Sequence, residues 1–163
     1  MLVLPAEWRF HLPLMPSLRL GSCERSGQPC VCRALAAEAL ADGRMLVLLA
    51  EKAAPRVVAA LSETGQLALL ANSPRTNRTL HIKGRDARVE PGLPEHASLL
   101  ALRQATLGSE IAEIDGFADA PFLQLWYGAA ARGLAAVYFS ISGAWDQTPG
   151  PNAGLPLALE TAS

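Results

Sequence analysis

The residues best equipped for chemistry form one short run, Arg78-Thr-Leu-His-Ile-Lys-Gly-Arg85. On a strand, successive side chains point to opposite faces. Leu80 and Ile82 then share a core face, while Thr79, His81, Lys83 and Arg85 share the other. That second face offers a hydroxyl, an imidazole and two cations, a set suited to an anion. Gly84 interrupts the run, and a glycine inside a strand marks a bulge or the close approach of a ligand or another backbone. Alone, such a pattern is more often a solvated strand face than a site. Its neighbours change the weighing. Arg75 and Arg78 lie close by in sequence, and Arg56 follows Pro55 at the start of a predicted helix. Helix N-termini and guanidinium forks both favour phosphate, through exposed N–H groups and paired donors.

Other chemistry is sparse. Cys30 and Cys32 would share a strand face, but no further Cys or His pair follows at ligand spacing, and His11, His81 and His96 are scattered. They read as strand cysteines and not as a metal centre. Three cysteines also argue against a disulfide framework. Glu110, Glu113 and Asp115 read as a solvated helix end. No P-loop, GxGxxG, GxSxG or HExxH pattern occurs. The formal net charge is -1 and 6% of residues are aromatic, so no basic, aromatic-studded stripe for nucleic acid is present. No apolar stretch reaches the roughly 18 residues of a membrane span. The start lacks the basic residues and long apolar run of a secretory signal. The expectation is a cytoplasmic protein with no membrane or nucleic-acid partner.

The elements that must position these residues read as one domain over 1–163, with an N-terminal arm or short helix (1–13) and a C-terminal tail (146–163) that is ordered only if it docks. A strand from Leu18 to Glu24 meets a turn at Ser26-Gly27. A second strand over Gln28–Leu40 puts Val31, Arg33 and Leu35 on one face, with Cys30, Cys32, Ala34 and Ala36 on the other. Asp42-Gly43 predicts a type I′ hairpin, which needs φ > 0 at both central residues. Met45–Ala50 is continuously apolar, as in a strand buried on both sides. Pro55 opens a helix that Gly65 ends. Leu67–Leu70 and Arg78–Val89 are further strands, flanking a polar loop at Asn72–Asn77. Beyond Pro91 the pattern is helical, with Leu99, Leu100 and Leu102 as the apolar face, and a second helix covers much of Ala118–Ala131. Val137–Ile141 is the last strand. Five or six mainly antiparallel strands, with a short helix between the third and fourth, predict a small barrel with flanking helices and not a doubly wound sheet.

In this order the features resemble the pyridoxamine 5′-phosphate oxidase-like family, the FMN-binding split β-barrels. The resemblance runs from about Leu18 to Glu90. It includes Gly27-Gln28-Pro29, Arg33, Ala54-Pro55-Arg56, Gly65-Gln66-Leu67-Ala68-Leu69 and the strand around Gly84. The ending Asp146-Gln147-Thr148-Pro149-Gly150-Pro151 resembles that of a bacterial subgroup whose reactions are mostly unassigned. The resemblance implies a homodimer with FMN at each subunit interface and a small-molecule substrate of unknown identity. Arg33 and Arg56 would hold the FMN phosphate. Thr79 would reach the flavin or its phosphate, and Arg78 and Lys83 would add charge beside it. The departures exclude vitamin B6 oxidation itself. A basic residue expected shortly after Arg33 is replaced by Ala34-Leu35-Ala36-Ala37, the hydroxyl at the helix start by Ala54-Pro55, and the C-terminal Arg-Trp-Arg by Trp145-Asp146-Gln147. Two alternatives follow. One is a dimeric barrel that has lost flavin and works as a binding or structural module. The other is a tetrapyrrole or deazaflavin ligand, with His81 the residue available to a haem iron.

Overall fold

A computed structural model describes residues 1–116, 120–128 and 133–161. Strands β2 (Ser17–Cys23), β3 (Pro29–Ala34), β4 (Ala36–Ala39), β5 (Met45–Ala50), β6 (Leu67–Asn72), β7 (Thr79–Pro91) and β8 (Leu134–Asp146) form one antiparallel sheet in the order β3-β2-β6-β7-β8-β5-β4. The expected long second strand is two strands, bent at Leu35. Its first half pairs with β2 and its second with β5, while Leu35 N–H donates to the Leu48 carbonyl at 2.8 Å. One bent run thus joins both edges, and the sheet closes on itself.

The barrel interior is filled by alternate side chains: Leu18 and Leu20, Val47 and Leu49, Leu69 and Ala71, Leu80 and Ile82, Val137 and Phe139. β5 is buried along its whole length, as its unbroken apolar run requires. Its other face, with Leu46 and Leu48, packs with Leu35, Ala36, Ala136 and Leu99 of helix α3 (Ala97–Asp115). Helix α2 (Pro55–Thr64) starts on Pro55, ends on left-handed Gly65 and drives Val57 and Leu61 into the interior. Helix α4 covers Ala120–Tyr127; the rest of the helix expected over Ala118–Ala131 lies outside the described residues, apart from Gly128.

Two local expectations are sharpened and two corrected. The 1–13 segment takes the helical of its two expected forms: β1 (Leu2–Val3) and helix α1 (Ala6–His11) deliver Leu4, Trp8 and Leu12 to the core. The tail docks in two places, through β9 (Leu155–Pro156) on β8 and β10 (Glu160–Thr161) on β1. At Asp42-Gly43 only Gly43 has positive φ (85°), so the turn is not type I′; it is a three-residue loop closed by Leu40 N–H on the Arg44 carbonyl. The buried stripe of α3 is Leu99, Arg103, Leu107 and Glu110, while Leu102 is exposed. Helical spacing from Leu99 runs 103, 107, 110, and so carries two charges inward.

Those two charges have separate solutions. Glu110 is no solvated helix end: its carboxylate accepts from the Ser73 hydroxyl (2.9 Å) and the Arg75 N–H (3.1 Å), and so closes the 73–78 loop. Arg103 donates to the Leu12 carbonyl at 2.7 Å and ties α3 to the N-terminal segment. Burial holds its pKa down at about 10, and among the described residues nothing pairs with its Nε and Nη2.

Candidate functional site

The strand singled out by sequence is divided by the barrel wall. Leu80 and Ile82 are wholly buried, and Thr79, His81 and Lys83 face outward. Gly84 belongs to the inner face. A Cβ there would lie 2.3 Å from the Phe139 ring, so its glycine makes room for a core aromatic and not for a ligand. The register slips beside it, between Lys83 and Gly84.

Cross-strand register builds the outward face. One row reads Arg33, Arg19, Leu70, His81, Trp145 across β3, β2, β6, β7 and β8. The next reads Val31, Gly21, Ala68, Lys83, Gly143. At about 4.8 Å per strand, each row spans roughly 19 Å. Small residues hollow the second row into a trough, lined by Arg19, Gly21, Val31, Ala68, Leu70, Thr79, His81 and Gln147. Its volume of about 490 Å³ lies within the range of small-molecule sites. Val31 is 69% exposed and Leu70 39%, so apolar and cationic groups alternate here.

At one end, Trp145 crosses Gly143, where a Cβ would lie 2.6 Å from the indole. His81 stacks on that ring at 5.4 Å, and Lys83 Nζ stands 5.5 Å from its centre. Burial, then the Lys83 charge, depress the His81 pKa, which keeps the imidazole neutral near pH 7. Thr79 anchors the tail beside the trough: its N–H donates to Thr148 Oγ1 (3.0 Å) and its carbonyl accepts from Gln147 N–H (2.8 Å).

A second cleft meets the trough at Val31. It is lined by Pro29, Cys30, Val31, Cys32 and the segment from Ala53 to Val57, under the start of α2. No side chain caps that helix, so its first N–H groups face the cleft without such a partner. Arg56 stands there, held by Glu24 at 2.7 Å, and the pairing lowers the Glu24 pKa and raises that of Arg56. Cys30 Sγ reaches the Arg56 carbonyl at 3.8 Å. Burial, then Cys30, push the Cys32 thiol up to about 11, which keeps it protonated.

The five expected site residues therefore fall in three places. Arg33, Thr79 and Lys83 share the outward face. Arg56 lies in the α2 cleft, on the side of β3 marked by Cys30 and Cys32. Arg78 is elsewhere: it pairs with Glu7 and lies over the Trp8 ring at 4.4 Å, in a cleft with His11, Arg75, Glu110 and Thr148. Alternation on β3 separates Arg33 from Arg56, because residues 32 and 33 point opposite ways.

Arg19 and Trp145 escaped the sequence reading. Arg19 was recoverable, since a hairpin turning at Ser26-Gly27 puts it opposite Arg33. Trp145 was not, because its pairing with His81 joins strands far apart in sequence. Among the described residues no cluster of three metal-ligating side chains occurs, and no helix is long and apolar enough to cross a membrane.

No protein-family model matches the sequence, and no curated protein does. Solved structures do match in shape. Group A Streptococcus HupZ aligns with a TM-score of 0.54 at 10% identity, over 93% of this chain and 100% of that one. A protein described as an F420 reductase aligns at 0.52 and 15% identity, over 86% of this chain and 98% of that one. A candidate pyridoxamine 5′-phosphate oxidase from Lactobacillus delbrueckii aligns at 0.51 and 14% identity, over 88% and 93%. Identities this low speak for shape alone, and the shape agrees with the closed sheet and its register: the chain has the split β-barrel fold of the pyridoxamine 5′-phosphate oxidase-like proteins.

Proposed function

We propose that this protein is an FMN-binding flavoprotein and an oxidoreductase acting on a small molecule, assembled as a homodimer. The observation that carries the reading is the junction at Val31 of two clefts of different chemistry. One offers an uncapped helix start with Arg56, suited to a phosphate. The other offers a trough with polar Thr79 and cationic Lys83 and Arg33 at its sides, suited to a ring system and its polar edge. When bound there, FMN would supply hydride chemistry, and the protein would orient it and set its electrostatic surroundings. Arg78 takes no part in this arrangement, being engaged with Glu7 and Trp8.

The experiment is a titration of purified protein with FMN, followed by flavin absorbance. Saturable binding is expected, and Arg56→Ala should weaken it by about 1.5–3 kcal/mol, the worth of a charge-assisted phosphate contact. No binding at millimolar FMN would end the reading. Unchanged affinity in Arg56→Ala would remove Arg56 from it. Light scattering should give twice the chain mass of 17.2 kDa.

A second reading, a barrel without flavin serving as a binding module, is favoured by one feature. Glu24 already holds the Arg56 guanidinium that a phosphate would need.

A further inference from the structure

Helical spacing turns two charges of α3 into the protein, and the fold answers only one of them in full. Glu110 is held through both carboxylate oxygens, by the Ser73 hydroxyl and the Arg75 N–H. Arg103 has no exposed surface and gives one nitrogen, Nη1, to the Leu12 carbonyl. Its Nε and Nη2 have no partner among the described residues. Those two nitrogens make one edge of the planar guanidinium, where two parallel N–H bonds match the two oxygens of a carboxylate or similar oxyanion. The unanswered part of Arg103 is thus the part best shaped for an anion.

Among the described residues nothing around the fork replaces that anion. Leu99 and Leu107, one turn to either side on the buried stripe, are apolar. Glu110 stands about two turns further along the helix, with its carboxylate already engaged. Burial pushes the Tyr127 phenol of α4 up and the Arg103 charge, next in weight, draws it down, so the two side chains are neighbours; yet the phenol oxygen takes no bond from Nε or Nη2. Burial lowers the Arg103 pKa to about 10, so the group remains a cation at neutral pH. An enclosed cation with an open fork is strongly unfavourable until a counter-charge meets it, and water supplies acceptors without the charge. A residue with no exposed surface is closed to a bulky ligand or a second subunit, so the counter-ion is small.

We infer that a small oxyanion, of the size of formate, nitrate or hydrogencarbonate, binds inside the protein on the Nε–Nη2 edge of Arg103. It completes the link that Arg103 makes from α3 to Leu12 and the N-terminal segment. The site is separate from the trough and from the α2 cleft, and it stands whether or not flavin binds.

The test is urea unfolding of the full chain at neutral pH, after dialysis into sodium gluconate, whose anion is too bulky to enter. Formate or nitrate then replaces gluconate at constant ionic strength. A ligand that binds only the folded state stabilises it by mass action, so the midpoint should climb with the logarithm of formate or nitrate concentration. Arg103→Met, an apolar side chain of similar length, should erase the climb. Arg103→Lys, a point charge without a fork, should need at least tenfold more of the anion for the same rise. Should Arg103→Met fail to fold, the wild-type Arg103 Nε–H resonance, identified by its absence from Arg103→Lys, decides the matter: it should shift saturably with formate at fixed pH. A midpoint that responds to neither anion, or responds equally in Arg103→Met, overturns the inference. So does a resonance that formate leaves in place, which would assign the fork to enclosed water.

Discussion

The barrel has two outer faces, and the chain treats them differently. Over β4, β5 and β8 the outward residues are largely apolar, including Leu46, Leu48 and Ala136 with Glu38 and Tyr138 beside them, and Leu99 of α3 packs on this face. Over β3, β2, β6 and β7 the outward residues are Arg33, Arg19, Leu70, His81 and Lys83, and the trough remains open. A largely apolar face needs a covering element to be stable in water. A face with cations among small and apolar residues can wait for a ligand or a second subunit. The same β-sheet is thus covered on one side and leaves an open trough on the other.

The sharpest way to break this comparison is to shorten one leucine on each face. Leu48→Ala, at a wholly buried position, should cost about 2–5 kcal/mol in urea unfolding. Leu70→Ala, at 39% exposure, should stay within about 0.5 kcal/mol. A cost for Leu70→Ala that matches Leu48→Ala and grows with protein concentration would mean that a second copy covers the trough face.

A smaller effect separates the trough from the α2 cleft beside it. Arg56 is occupied by Glu24, whereas Arg19 has no carboxylate partner among the described residues. Glu24→Gln should release Arg56 and strengthen inorganic phosphate or FMN binding measurably, by a small factor as befits an exposed pair. No gain would show that Glu24 does not compete. The Glu24 pKa is lowered by Arg56, so this competition persists at neutral pH and fades only as pH falls through the depressed value, below the ordinary carboxylate range.

The smallest effect is on His81. Its lowered pKa means that the folded state resists protonation, so its contribution to stability is present above the ordinary histidine value and is lost as pH falls below it. Lys83→Met should raise the His81 pKa, read by NMR titration, while burial still holds it below that of an exposed histidine. An unchanged value would mean that Lys83 contributes nothing to the electrostatics of the trough.

Sequence patterns of period two and 3.6 were enough to read most strands of the main sheet, though not the bend at Leu35, together with α2, its Pro55 start and Gly65 stop, and the inward turn of Leu80 and Ile82. Both periods are local properties of the backbone, and burial follows from them directly. They also placed Thr79, His81 and Lys83 on one face. Charge partners could not be read that way. Glu24 on Arg56, Glu7 on Arg78 and Glu110 on Ser73 join residues 32, 71 and 37 positions apart. The role of Gly84 was equally hidden, because Phe139 arrives there only when β7 pairs with β8. The sequence by itself determined which residues face outward along each regular stretch of strand, up to the bend at Leu35 and the slip beside Gly84. Only the tertiary structure decided which outward residues of sequence-distant strands stand together, since pairing β2 with β6 and β7 with β8 sets Leu70 beside Arg19 and Trp145 beside His81.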